Sequence, residues 1–270
     1  MALPSPQRPV KAYGMRSQII GQTLPVLELE LAPGDKIVAE TGQLSWMTEG
    51  IELNTTHAAA GVSSFFGAIG RAMSGGGLFM TEYTAPYRTG VVGFAAKIPG
   101  QIVEIQIQPG RGYLVHKHGF VCGTEGVQLG TGFQQSLGAG IFGGNGFLLQ
   151  RLSGPSTAWV ELGGEVIARD LMPGEKLRVH PGHVGMFEES VNFTITTMRG
   201  FQNIIFGGDG LFLAELTGPG RIWLQTMTLP NLAHALAPYL GGNNGGGAQN
   251  IEQAAELGVA GAVLKSFFSR

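Results

Sequence analysis

The chain states one phrase three times. TEGIEL at 48–53 returns as TEGVQL at 124–129 and, more faintly, as EESVNF at 188–193. A second phrase follows each copy: GGLFMTEYTAP at 76–86, NGFLLQRLSGP at 145–155 and DGLFLAELTGP at 209–219. A repeat of this size constrains the architecture before any single residue is read, because three copies of a phrase require three copies of one structural unit. Each copy opens on an apolar run and a Pro-Gly dipeptide: VLELELAPGDKIVAETG from Val26, IVEIQIQPGRGYLVHKH from Ile102 and VIARDLMPGEKLRVHPG from Val166. Proline fixes one φ and glycine is free to take φ > 0, so Pro33-Gly34, Pro109-Gly110 and Pro173-Gly174 predict tight turns. Leu27, Leu29 and Leu31 alternate with polar residues, as Val103, Ile105 and Ile107 do, and period two predicts strands with one buried face. The strand after the second phrase carries Trp159 and Trp223 at matching places, with Gly90 expected there in the first copy.

These patterns predict an all-β chain of three similar β units packed about a pseudo-threefold axis, with a short C-terminal helical segment. A flexible N-terminus covers 1–15, and the repeats cover 16–92, 93–160 and 161–229. A helix-like insertion at 57–77 sits in the first, where Val62, Phe65, Phe66, Ile69, Ala72 and Met73 fall at helical spacing. A short helix follows at 230–240, with Pro230 near its start and Pro238 ending it. Then come a Gly-rich linker at 241–249 and a C-terminal helix at 250–270, capped by Asn250. No polar linker separates the repeats, which argues against three independent domains.

Composition narrows the function classes. Glycine accounts for 45 of 270 residues without a three-residue period, so it marks turns between short strands rather than a collagen-like chain. A formal charge of −2 gives no electrostatic footprint for nucleic acid, and none is expected as a partner. The single cysteine, Cys122, excludes an internal disulfide framework and fits a reducing compartment. Neither a signal peptide nor a run of about 20 apolar residues is present, so the expected location is the cytoplasm.

Few residues resemble chemistry. Glu40, His116 and His180 occupy equivalent positions after the three Pro-Gly turns. If their strands line one axis, two imidazoles and a carboxylate would converge in a set suited to iron or zinc. Cys122 lies in an apolar run and reads as a small buried hydrophobe. GGNGF and GGDGL lack the Gly-Lys-Ser/Thr of a phosphate loop and precede strands, so no cofactor is called for. The surface candidates are apolar: Phe65, Phe66, Ile69 and Arg71 in the insertion, and Phe267 and Phe268 in the tail. Exposed, they would dock on a protein partner, on another copy in a homo-oligomer, or peripherally on a membrane.

Pro-Gly-Asp-Lys…Ala-Glu-Thr-Gly at 33–42, Arg71-Ala-Met-Ser-Gly leading to Gly-Leu-Phe at 77–79, and the Leu-x-Gly-Pro…Trp phrases resemble the altered inheritance of mitochondria protein 24 family, over roughly residues 16–232. The resemblance implies three β units about a pseudo-threefold axis. Each would be similar to the tryptophan RNA-binding attenuation protein fold, a short double-stranded β-helix. The family's eukaryotic branch is associated with mitochondrial inner-membrane organisation, and no catalytic residues come with the resemblance. His180 stands in HPGH where the family pattern has Asp-Pro-Gly-His, and no mitochondrial presequence is recognisable, so within this resemblance the expectation is a bacterial cytoplasmic protein. RNA binding does not follow from the fold. The sequence therefore points to a non-enzymatic scaffold or interaction protein. The alternatives are a metal-dependent enzyme using Glu40, His116 and His180, and, behind it, RNA binding by analogy of fold.

Overall fold

The computed structural model describes residues 10–12, 15–56, 80–135, 147–198 and 211–240. Two leading strands, β1 (Val10–Ala12) and β2 (Met15–Ile20), precede three sets of six. The first set is β3 (Val26–Leu31), β4 (Lys36–Glu40), β5 (Trp46–Met47), β6 (Glu52–Thr56), β7 (Met80–Thr84) and β8 (Gly90–Ala95). The second is β9 (Gly100–Ile107), β10 (Gly112–His116), β11 (Phe120–Thr124), β12 (Gln128–Gln135), β13 (Phe147–Ser153) and β14 (Ser156–Gly163). The third is β15 (Val166–Leu171), β16 (Lys176–Val179), β17 (Val184–Glu188), β18 (Asn192–Met198), β19 (Leu211–Thr217) and β20 (Gly220–Gln225). One α-helix, α1 (Leu229–Leu240), follows. The sequence-predicted insertion at 57–77, the linker at 241–249 and the helix at 250–270 lie outside the described residues.

The Pro-Gly dipeptides make the turns their chemistry demands. Gly34, Gly110 and Gly174 have φ of 91°, 74° and 79°. Each turn is closed by a backbone bond: Asp35 N to Ala32 O at 2.9 Å, Arg111 N to Gln108 O at 3.1 Å, and Glu175 N to Met172 O at 2.9 Å. Proline at the second position and φ > 0 at the third are the marks of a type II turn. Helix α1 starts where Thr228 Oγ1 accepts from Asn231 N at 3.2 Å, an N-cap that the sequence reading missed. It also runs two residues beyond Pro238. Proline in the last turn loses one intrahelical bond without ending the helix there.

One pairing scheme serves all three sets. The first strand pairs antiparallel with the last, as β3 with β8, β9 with β14 and β15 with β20. The last also pairs with the third, as β8 with β5, β14 with β11 and β20 with β17. The second, fifth and fourth strands form a separate ladder: β4-β7-β6, β10-β13-β12 and β16-β19-β18. Halves of neighbouring sets then join, β4 to β11 and β10 to β17. The result is four sheets: β1-β2-β3-β8-β5, β6-β7-β4-β11-β14-β9, β12-β13-β10-β17-β20-β15 and β16-β19-β18.

Three apolar cores lie between successive sheets. Leu27, Leu29, Phe94 and Trp159 belong to the first, Ile105, Phe120, Val160 and Met186 to the second, and Leu149, Phe187, Leu216 and Ile222 to the third. The two six-stranded sheets serve a core on each face. On β4, Ile37 and Ala39 point into the first core and Val38 into the second. β11 and β14 are accordingly buried at every position. Leu27, Leu29 and Leu31 have no exposed surface, which stabilises the fold by about 1.5–3 kcal/mol per side chain.

The register moves the first-copy counterpart of the tryptophans from Gly90 to Gly93. Gly90 faces Leu31 as Ser156 faces Ile107 and Gly220 faces Leu171, so Gly93 aligns with Trp159 and Trp223. Its neighbour on β5 is Trp46, where the other sets pair Cys122 with Trp159 and Met186 with Trp223. Every set thus has one indole in this cross-strand pair, and the first carries it on the opposite strand. A Cβ on Gly93 would run into the Trp46 ring. Gly93→Ala is therefore expected to lose about 1–3 kcal/mol in urea unfolding. The exchange Trp46→Ala with Gly93→Trp should retain more stability than Gly93→Trp alone, and simple additivity would refute the compensation.

Candidate functional site at the junction of the second and third sets

After the second strand of each set the chain turns sharply. The turns close with Gln43 N to Glu40 O at 3.1 Å, Gly119 N to His116 O at 3.0 Å, and His183 N to His180 O at 2.9 Å. Glu40, His116 and His180 thus hold equivalent places, each opening such a turn. They do not converge into a metal site: among the described residues no group of three or more His, Cys, Asp and Glu is placed to hold a metal ion. The expected metal set is corrected accordingly. Equivalence along the chain put these residues on like turns, but the strands send their side chains to different partners.

Glu40 is buried near Gln150, whose Nε2 donates to Oε1 at a long 3.5 Å. Burial raises its pKa, while Lys97, the Gln150 bond and Lys117 pull it back. His116 Nε2 donates to the backbone oxygen of Glu161 at 3.0 Å, and burial lowers its pKa. His180 is exposed, with its ring centroid 5.8 Å from that of His183. His183 Nδ1 in turn donates to the Gln225 backbone oxygen at 2.8 Å.

Two residues that the sequence reading passed over, Glu161 and Gln225, organise this region. Glu161 Oε1 accepts from Lys97 N at 2.7 Å and Ile98 N at 3.0 Å. Burial raises its pKa against those two bonds and the Lys97 charge. Gln225 Oε1 accepts from Gly163 N at 3.0 Å, and its Nε2 donates to Gly182 O at 2.9 Å. Each stands two residues after a matched tryptophan, Trp159 or Trp223, and that spacing was the available signal.

A cavity of about 210 Å³ opens here, lined by His116, Lys117, His118, Phe147, Gln225 and Leu229 among others. His118 has φ of 69° at the turn position where Gly42 has 88° in the first set. A side chain in the left-handed region costs about 1–2 kcal/mol. Burial, then Lys117, Lys97 and His116, push the His118 pKa down to about 4. Its imidazole is therefore neutral at neutral pH, as His116 is. Cys122 is wholly buried and its thiol pKa is raised by burial, which leaves it a packing residue. Phe65, Phe66, Ile69, Arg71, Phe267 and Phe268 lie outside the described residues.

The fold and this junction define an all-β protein in which the best-placed polar groups serve as braces between sheets. The chain belongs to the Mitochondrial biogenesis AIM24 family, whose model matches residues 17–227. It is similar to an uncharacterised protein of Streptococcus pyogenes serotype M6, with 27% identity over 220 residues, 80% of this chain and 87% of that protein. It also resembles the crystal structure of a Streptococcus pyogenes protein, with a TM-score of 0.66 and 26% identity over 84% of this chain and 100% of the other. Its similar proteins thus include bacterial ones, and their names state no activity.

His118→Gly removes the left-handed strain but frees the unfolded chain, so it should raise stability at neutral pH by about 0.5–1 kcal/mol. The folded pKa of about 4 lies below the ordinary 6.5, so the unfolded state takes up this proton first. The His118 contribution is complete above pH 6.5 and is lost as pH falls towards 4. The stability difference between the variant and the natural chain should therefore widen across that window and stay constant below it. Parallel curves would refute the assignment.

Proposed function

We propose that this protein is a non-enzymatic scaffold or interaction protein, self-associating and reaching a partner or membrane surface through segments outside the repeated strands. The observation that carries this reading is how its chemically capable groups are used. His116, His183, Glu161 and Gln225 are each bonded to backbone groups of another strand or turn, so they hold the junction instead of facing a reacting centre. The wholly buried thiol of Cys122 fits the same reading and a reducing, cytoplasmic setting. No helix among the described residues is long and apolar enough to cross a membrane. Membrane contact on this reading is peripheral, made by the aromatic residues of 57–77 and of the tail.

Deletion of 248–270 tests the appendage role. The truncated chain is expected to keep its thermal unfolding midpoint and to lose at least half of its co-sedimentation with anionic phospholipid vesicles. Equal co-sedimentation of both chains, or none by the full-length protein, would remove the membrane surface from this reading.

A further inference from the structure

Two strand edges stand out against the pairing scheme. In the two joins between sets, the second strand of one set pairs with the third strand of the next: β4 with β11 and β10 with β17. The third strand of the first set, β5, and the second strand of the last set, β16, have no such partner among the described residues. They end their sheets in β1-β2-β3-β8-β5 and β16-β19-β18. These two are the complementary types that the chain joins elsewhere.

Exposure marks the same difference. Where the join is made, Ala39, Cys122, Val115 and Met186 are fully buried. At the open edge Trp46 is 44% and Met47 40% exposed, and an open groove lined by Thr48, Glu49 and Arg88 runs beside them. On β16, Leu177 and Val179 pack against the third core from one face.

The joins that exist set the register of the missing one. Ile37 faces Thr124 and Ala39 faces Cys122, while Tyr113 faces Glu188 and Val115 faces Met186. Carried to the open edges through the Pro-Gly and Thr-Glu-Gly alignment, Leu177 faces Thr48, Arg178 faces Met47 and Val179 faces Trp46. One step further, Lys176 faces Glu49, at the places that Lys36 and Glu125 hold one step beyond the first join, where Lys36 pairs with Glu82. Glu49 now pairs with Arg88, its side chain 93% exposed, and Lys176 with Glu215.

We infer that β16 of one copy takes β5 of a second copy as its neighbouring strand, in the register of the internal joins, and that this head-to-tail contact is how the protein self-associates. The contact is strand addition, in which backbone bonds supply affinity and flanking side chains supply specificity. Because it is heterologous, a dimer keeps one free edge of each kind. Assembly then proceeds to a ring if the rotation closes and to a filament if it does not. This inference specifies the self-association in the proposed function, and it stands or fails separately from vesicle binding.

The direct test is the double variant Thr48→Cys with Leu177→Cys, oxidised and run on a non-reducing gel. Antiparallel neighbours lie within disulfide reach. The expected result is a ladder of covalent dimers and larger species, with at most dimers from either single variant. Monomer alone, whether uncross-linked or closed on itself, overturns the proposal. Light scattering on otherwise natural chains guards against misfolding of the cysteine variant. Glu49→Lys and Lys176→Glu should each weaken association about fivefold by placing like charges opposite one another. Mixing those two variants should restore it, since each then meets an opposite charge on the other. A mass of one chain at all concentrations, or no restoration on mixing, overturns it as well.

Discussion

The fold depends on two short backbone ladders, β4 against β11 and β10 against β17. Each runs through the interior, where an unpaired N–H or C=O would cost about 1–3 kcal/mol. Each ladder satisfies those groups and makes one sheet out of halves that belong to different repeats. The middle sheets therefore present apolar residues on both faces, which explains why β11 and β14 are buried at every position and why Glu161, the one charged residue on them, has its carboxylate bonded to backbone N–H groups. No repeat can close its core alone. The first core takes Trp159 from the second set, and the second takes Met186 from the third.

The repeated pairing ends at the two outer sheets. On β16 Arg178 is exposed, whereas its counterparts Val38 on β4 and Leu114 on β10 are packed against the second and third cores. Glu215 on β19 pairs with both cations of β16, and Trp46 donates to Glu28 at 3.0 Å. At the Arg178 position the last sheet carries a charge where the inner ones carry methyl groups, as terminal repeats of stacked architectures do. The same logic accounts for the tryptophan transfer. Trp46 lies on a terminal sheet where its indole reaches Glu28, whereas Trp159 is sealed between two sets.

Much of the fold was legible because the turns announce themselves. Pro-Gly fixes the type II turns, and period two fixes which face of β3 is buried. The place of the first-copy tryptophan was not legible, because Tyr87, Arg88 and Thr89 lengthen the loop after Pro86 and shift an alignment anchored on that proline. The equivalence of Glu40, His116 and His180 was also readable. Their separation was not, since a shared position on a strand says nothing about which neighbour the side chain meets. Glu161 and Gln225 were passed over because a carboxylate and an amide look unrelated until the strands show them two residues beyond the same tryptophan. His118 became meaningful only through its conformation, once the turn was seen to hold glycine in the first set.

If shared sheets make the three repeats one body, their innermost amides must open together. Hydrogen exchange at a series of subdenaturing urea concentrations measures this residue by residue. Amides of Val38 and Gly123 at the first ladder, and of Leu114 and Phe187 at the second, are expected to converge on one opening free energy and one urea dependence, equal to those of global unfolding. Separate values for the two ladders, with the third set opening while the first stays protected, would show independent repeats and contradict this account.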